Sequence, residues 1–152
     1  MTHITDAFSE ALTTAIERII ETMDGMDKQG LNFKPRAGQP TSSVYVLAVH
    51  TMANAEQTVL SMLDGQDRPR DRDAEFAAVG ESRDWVDERW AKLKPELQTA
   101  MAEFTAEHLD KEYEHPRRGK MNGWEALVMV VTHANEHVGH AELTRDLLAA
   151  EA

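Results

Sequence analysis

Four stretches of the chain repeat apolar residues at the spacing of a helix, and this constrains the fold more than any other feature. Phe8, Leu12, Ile16, Ile19 and Met23 recur every three or four positions with Glu and Arg between them. That is the pattern of an amphipathic helix over about residues 5–24, and Gly25 and Gly30 end it. The segment LNFKPRAGQPT at 31–41 holds two prolines and a glycine and cannot continue a helix. Thr41, Ser42 or Ser43 can cap a second helix from Val44 to Leu63, closed by Gly65. A third is predicted from Ser82 to Phe104, with Trp85, Trp90, Leu93, Leu97, Met101 and Phe104 as its buried stripe and Pro95 expected to kink or divide it. Asn122 and Glu125 form a capping pair that starts a fourth helix running to about Leu148. No stretch alternates convincingly as a strand. The expectation is an all-α four-helix bundle, one domain over residues 1–152.

The connection from Gly65 to about residue 80 is long for a helix–helix link, so it is expected to hold a short turn of its own or to border a site. Its RPRDR stretch, with RRGK at 117–120, is the main concentration of basic charge in a chain of 27 acidic and 16 basic residues. Arg68, Arg70 and Arg72 alternate with Asp67, Asp71 and Asp73 nearby, which reads as a solvated loop. With a formal charge of −11 the chain lacks the basic footprint that phosphate backbones require, so no nucleic-acid partner is expected. The first residues carry Asp6, Glu10 and Glu17 without a basic leader, and no run approaches the ~18 apolar residues of a membrane span. A soluble, cytoplasmic protein without membrane partners is the expectation. The absence of cysteine excludes disulfides, thiolate zinc clusters and a protein thiol nucleophile, leaving histidine, carboxylate and carbonyl groups to hold any metal.

Histidine is where the chain concentrates chemistry. THANEHVGHAEL at 132–143 places His133, His137 and His140 within eight positions. Residues four apart on a helix share a face, so His133 and His137 can share an ion. Leu127, Val130, Ala134, Ala141, Thr144 and Leu148 continue the stripe of His137, and Ala126 and Met129 lie below His133, so the pair points into or beside the core. His50 sits between Val46, Leu47, Ala53 and Asn54 in the most apolar part of the second helix. A buried imidazole must be neutral and hydrogen-bonded, or bound to something. Two readings stay open on pattern alone: satisfied core histidines, or three ligands collected from facing helices of a bundle with an open position left over. His3, His108 and His115 read as solvated, the last two among Glu107, Asp110, Glu112 and Glu114.

Three segments resemble the DinB/YfiT-like superfamily of bacterial metal-dependent enzymes. LNFKPRAGQPTSSVYVLAVH is similar to the family's lead-in to its second helix and histidine. AEHLDKEYEHPRRGKMNGWEALVMVV is similar to its entry into the last helix, and HANEHVGHAELTRDLL to its terminal motif. The resemblance implies a four-helix bundle with His50, His133 and His137 as metal ligands. His140 stands where many relatives have glutamine, as a further ligand or a site-lining group, and some relatives use Glu at the place of His133. Zinc or nickel suits such a site best, with iron also compatible.

The resemblance further implies a transferase or isomerase that uses a low-molecular-weight thiol, such as mycothiol or bacillithiol, against a small electrophile. Hydrolysis by a bound water is an alternative, as is a non-catalytic bundle that binds a metal or small molecule. HANEH also spells the inverted zinc-protease motif with Glu136 as base, but only 15 residues follow His137 to supply a downstream third ligand. Glu136 reads better as a surface carboxylate or one that orients a ligating imidazole. Asn54, Tyr45, Trp124 and Arg145 are candidates to line a pocket. A homodimer using exposed parts of the Trp85–Trp90 segment is also expected.

Overall fold

The structure, a computed structural model, describes residues 3–36 and 40–151. Positions 37–39, within the expected proline-rich turn, and the side chain of His3 lie outside the described part. Four long helices form the bundle: α1 (His3–Glu21), α3 (Val44–Ala55), α5 (Asp84–Glu103) and α7 (Gly123–Glu151). Short helices α2 (Lys28–Leu31), α4 (Arg72–Phe76) and α6 (Ala106–Asp110) occupy the connections. Local chemistry sets the starts of the two helices that carry the histidines of interest. Ser43 takes the cap of α3, its Oγ accepting from Val46 N–H at 3.1 Å. Asn122 and Glu125 close a reciprocal box at the head of α7, with Asn122 N–H donating to Glu125 at 2.8 Å and Glu125 N–H to Asn122 at 2.9 Å.

Leu12, Ile16 and Ile19 of α1 with Met23 just after it, Leu93, Leu97 and Met101 of α5, and Ala126, Leu127, Val130 and Ala134 of α7 meet in one buried core with α3. α7 packs against both α1 and α3, and α5 against α1. α5 is continuous through Pro95. The proline lies on an exposed face, as does Ala91, so solvent can serve the carbonyl that loses its helical donor. Trp85, expected in the buried stripe, is 51 % exposed. It stands in the first turn of α5, while Trp90 further along is buried.

Two departures from the sequence reading shape the site. The second helix does not stay α throughout: from Glu56 to Leu63 it continues in π-helical form, a form often found near functional sites. Between α6 and α7 the chain makes an antiparallel hairpin, β1 (Glu112–His115) with β2 (Gly119–Asn122), pairing His115 with Gly119. Gly119 takes φ of 77°, which closes the turn at little cost for a residue without Cβ. The hairpin then feeds α7 through Gly123, where a Cβ would lie 2.7 Å from the Leu109 backbone. No helix among the described residues is long and apolar enough to cross a membrane.

Candidate metal centre

α3 brings His50 and α7 brings His133 and His137 to one point. The Nε2 atoms of His50 and His133 are 3.1 Å apart, and those of His133 and His137 are also 3.1 Å apart. One ligating atom from each of the three lies within 4.8 Å of the others. Zinc–nitrogen bonds of about 2.0–2.1 Å at tetrahedral angles put two nitrogens roughly 3.3 Å apart. The donor set therefore fits a divalent metal without rearrangement of the backbone. His133 and His137 meet edge to face, with ring centroids 4.4 Å apart and planes at 84°, as two imidazoles turned to a common point do.

The orientation of His50 is fixed from behind. Its Nδ1 lies 2.9 Å from Glu75 Oε1, and both side chains are 6 % exposed. Arg70 clamps the same carboxylate, its Nε 2.8 Å from Oε2 and its Nη2 2.9 Å from Oε1. Burial alone would raise the Glu75 carboxyl, but hydrogen bonds from Arg70 and His50 pull it down from 4.5 to about 2. An ionised carboxylate can only accept, so His50 carries a proton on Nδ1 and turns Nε2 to the other two rings. Phe76 of α4 packs on the His50 ring with centroids 4.7 Å apart.

The two α7 rings are held more lightly. Asn54, one helical turn after His50, meets His133 Nδ1 at 3.1 Å through its side-chain amide. With the amide nitrogen donating there, the His133 proton sits on Nε2. Ligation needs the opposite tautomer, and a half-turn of the Asn54 amide supplies the oxygen to accept from Nδ1–H. His137 Nδ1 is 3.2 Å from His140 Nδ1. His140 thus stands on the side of His137 away from the convergence point. Burial, reinforced by the neighbouring His137 and His50, holds His133 down at about 3. Burial with His50 and His140 holds His137 at about 4. Both rings are neutral at physiological pH, the state a ligand needs.

Glu136 is exposed and faces a neighbouring cavity with Trp124 and His133, not the point where the three rings meet. Trp124 donates to Asp110 at 2.9 Å. Tyr45 is buried and lines another cavity, one that the three rings do not line, and Arg145 is an exposed partner of Asp146.

Three expectations of solvation are corrected. The 68–72 stretch is not a free loop: Arg68 bonds Glu56 and Glu96 at 3.0 Å each, and Arg70 is the clamp on Glu75. His108 is half-buried, its Nε2 2.7 Å from the Leu63 carbonyl and its ring stacked on Phe104. His115 is buried. Each lies among charged neighbours in sequence, and the contacts that bury it form only when the chain folds. For Glu75 and Arg70, the usable signal was the unusual length of the connection that carries them.

The DinB superfamily model matches residues 11–141. Among solved structures, the crystal structure of a conserved protein from Enterococcus faecalis superposes with a TM-score of 0.79 at 19 % identity, covering 99 % of both chains. YfiT from Bacillus subtilis, described as a probable metal-dependent hydrolase with an unusual four-helix bundle topology, gives a TM-score of 0.73 at 16 % identity over 98 % of this chain and 90 % of its own. At these identities the likeness establishes a shared fold. No curated protein matches.

Proposed function

The chain belongs to the DinB superfamily, and on that premise we propose that His50, His133 and His137 hold one divalent metal in an enzyme that directs a low-molecular-weight thiol at a small electrophile. The observation that carries this is the convergence of three imidazoles, one of them oriented from behind by Glu75. A divalent metal so held supplies Lewis acidity, favouring the deprotonated form of a thiol or water that reaches its open position.

The protein's own part is to orient and exclude. Arg70 and Glu75 hold His50 in its ligating tautomer, Phe76 covers that ring, and Asn54 and His140 steady the two α7 rings. Among the described residues, the wall of the cavity that the three rings line contains no carboxylate. Glu75, behind it, is committed to Arg70 and His50 and too acidic to take a proton near neutrality. This favours thiol chemistry, in which ionisation needs no separate base, and a chain without cysteine takes that thiol from outside. Mycothiol and bacillithiol are the candidate cofactors, and the reaction class is S-transfer or a thiol-assisted isomerisation.

Hydrolysis is the second reading, favoured by the description of YfiT, and a non-catalytic metal-binding bundle is the third. The zinc- or nickel-loaded protein, given a model electrophile with and without thiol, separates them. Electrophile consumption that requires both metal and thiol supports the transferase. Ester cleavage without thiol supports the hydrolase, and neither reaction leaves the binding module. We also propose a homodimer, supported by Trp85 and Val79, which are 51 % and 65 % exposed near the head of α5. A monomer at high concentration in light scattering removes that claim.

A further inference from the structure

The turn of the β1–β2 hairpin delivers a second set of groups to the cavity of the three rings. His115 is 5 % exposed, and its Nδ1 accepts from the backbone N–H groups of Arg117 and Arg118, both at 3.1 Å. With Nδ1 accepting, the ring proton is on Nε2. That buried Nε2 has no hydrogen-bond partner among the described residues, an arrangement that calls for an explanation because buried donors are nearly always satisfied. Burial, then Arg118, Arg70 and Arg117, push His115 below its ordinary value, so it stays a neutral donor.

The cations around it differ from most other arginines of the chain. Arg18, Arg68, Arg70, Arg83, Arg89 and Arg145 all pair with carboxylates. Arg72, Arg117 and Arg118 pair with none among the described residues, and Arg72 lies over the Phe76 ring at 4.8 Å. All three line the same cavity of about 410 Å³ as His50, His133, His137 and His115. In a protein of net charge −11, a cavity walled by arginines and, among the described residues, by no carboxylate is a local inversion of the surface.

We propose that this cavity holds an oxyanion group, a carboxylate or a phosphate, of the small molecule that reacts at the histidine triad, with His115 Nε2–H and the guanidinium groups of Arg72, Arg117 and Arg118 as its donors. The assignment of a reacting molecule rests on the metal-centre reading; the anion subsite itself rests on the hairpin. Planar guanidinium groups suit the two oxygens of either anion. Succinate and inorganic phosphate, titrated separately into zinc-loaded and metal-stripped protein, test it through NMR of the His115 ring nitrogens and the Arg117 and Arg118 amides.

Saturable shifts at those nuclei in both forms are expected, and the tighter of the two probes names the group. Affinity should fall about tenfold or more in the Arg117→Gln/Arg118→Gln double variant. A comparable loss is expected in His115→Asn, which keeps an acceptor for the turn but removes the Nε2 donor. Unchanged affinity in both variants, or no saturable shift at His115, overturns the subsite. Zinc content of the same samples reads the triad alone. Zinc bound with no anion response sinks only the subsite, whereas anion binding in a protein that takes up no zinc upholds the subsite and sinks the metal reading.

Discussion

The two walls of the metal centre are built on different principles. On the α3 side His50 is 4 % exposed and wired through Glu75 to Arg70, a buried chain of charge-assisted bonds. On the α7 side His133 and His137 are half-buried and steadied by an amide and by another imidazole. One wall is fixed before anything binds; the other can adjust its tautomers as a ligand arrives. The rigid wall is also the one whose support comes from outside the bundle helices, from the 68–76 segment and α4. The site therefore depends on a connection as much as on the four-helix core.

Breaking the rigid wall should have the largest effect. Arg70→Ala leaves the Glu75 carboxylate buried with only His50 beside it, and removing one partner of a buried pair costs about 3–5 kcal/mol. Thermal unfolding should show a clear drop in midpoint; an unchanged midpoint would mean that the clamp does not anchor this wall.

Acid should next distinguish the walls in the metal-free protein. His133 and His137 are held at about 3 and about 4 against an ordinary 6.5. As pH falls below 6.5 the unfolded chain therefore takes up protons that the folded one refuses. Their contribution is complete above 6.5 and declines as pH falls through 4 towards 3. Glu75 acts in the same direction but only from 4.5 down to about 2. Between pH 6.5 and 4.5 the α7 pair is thus tested apart from the Glu75 carboxylate. A His133→Gln/His137→Gln variant should lose stability less steeply there than the native chain, and equal slopes would contradict the depressed imidazoles. The same values place proton competition for the metal lower than a free histidine implies.

Smaller effects sharpen the adjustable wall. Asn54→Ala removes the group that orients His133 and should weaken zinc binding about tenfold, the low end for groups that orient ligands. His140→Ala should cost less than that, because His140 is exposed and meets the nitrogen of His137 that faces away from the other two rings. Competition with a zinc indicator measures both. A larger loss for His140→Ala than for Asn54→Ala would reverse the order of support along α7.

Much of this was legible in the sequence because helical period is a local signal. Leu12, Ile16 and Ile19 announce α1, Asn122 and Glu125 announce the start of α7, and the four-residue spacing of His133 and His137 announces a shared face. What escaped is non-local or short. Strands of four residues, Glu112–His115 and Gly119–Asn122, give too little alternation to stand out from a polar turn. Glu75 and Arg70 lie in RPRDRDAEF, whose composition is that of a solvated surface. Only the fold puts Glu75 behind His50, 25 positions away. His115 likewise reads as one more polar residue until the hairpin turns it inward.

The central claim is that His50, His133 and His137 together hold one metal. Elemental analysis of zinc per chain after equilibrium dialysis tests it most directly, on the native protein and on His50→Ala, His133→Ala and His137→Ala, each checked for helical content by circular dichroism. One equivalent in the native chain and nearly none in each folded variant is the expected result. A full equivalent retained by folded His50→Ala would contradict the account, because the α3 wall would then hold no metal.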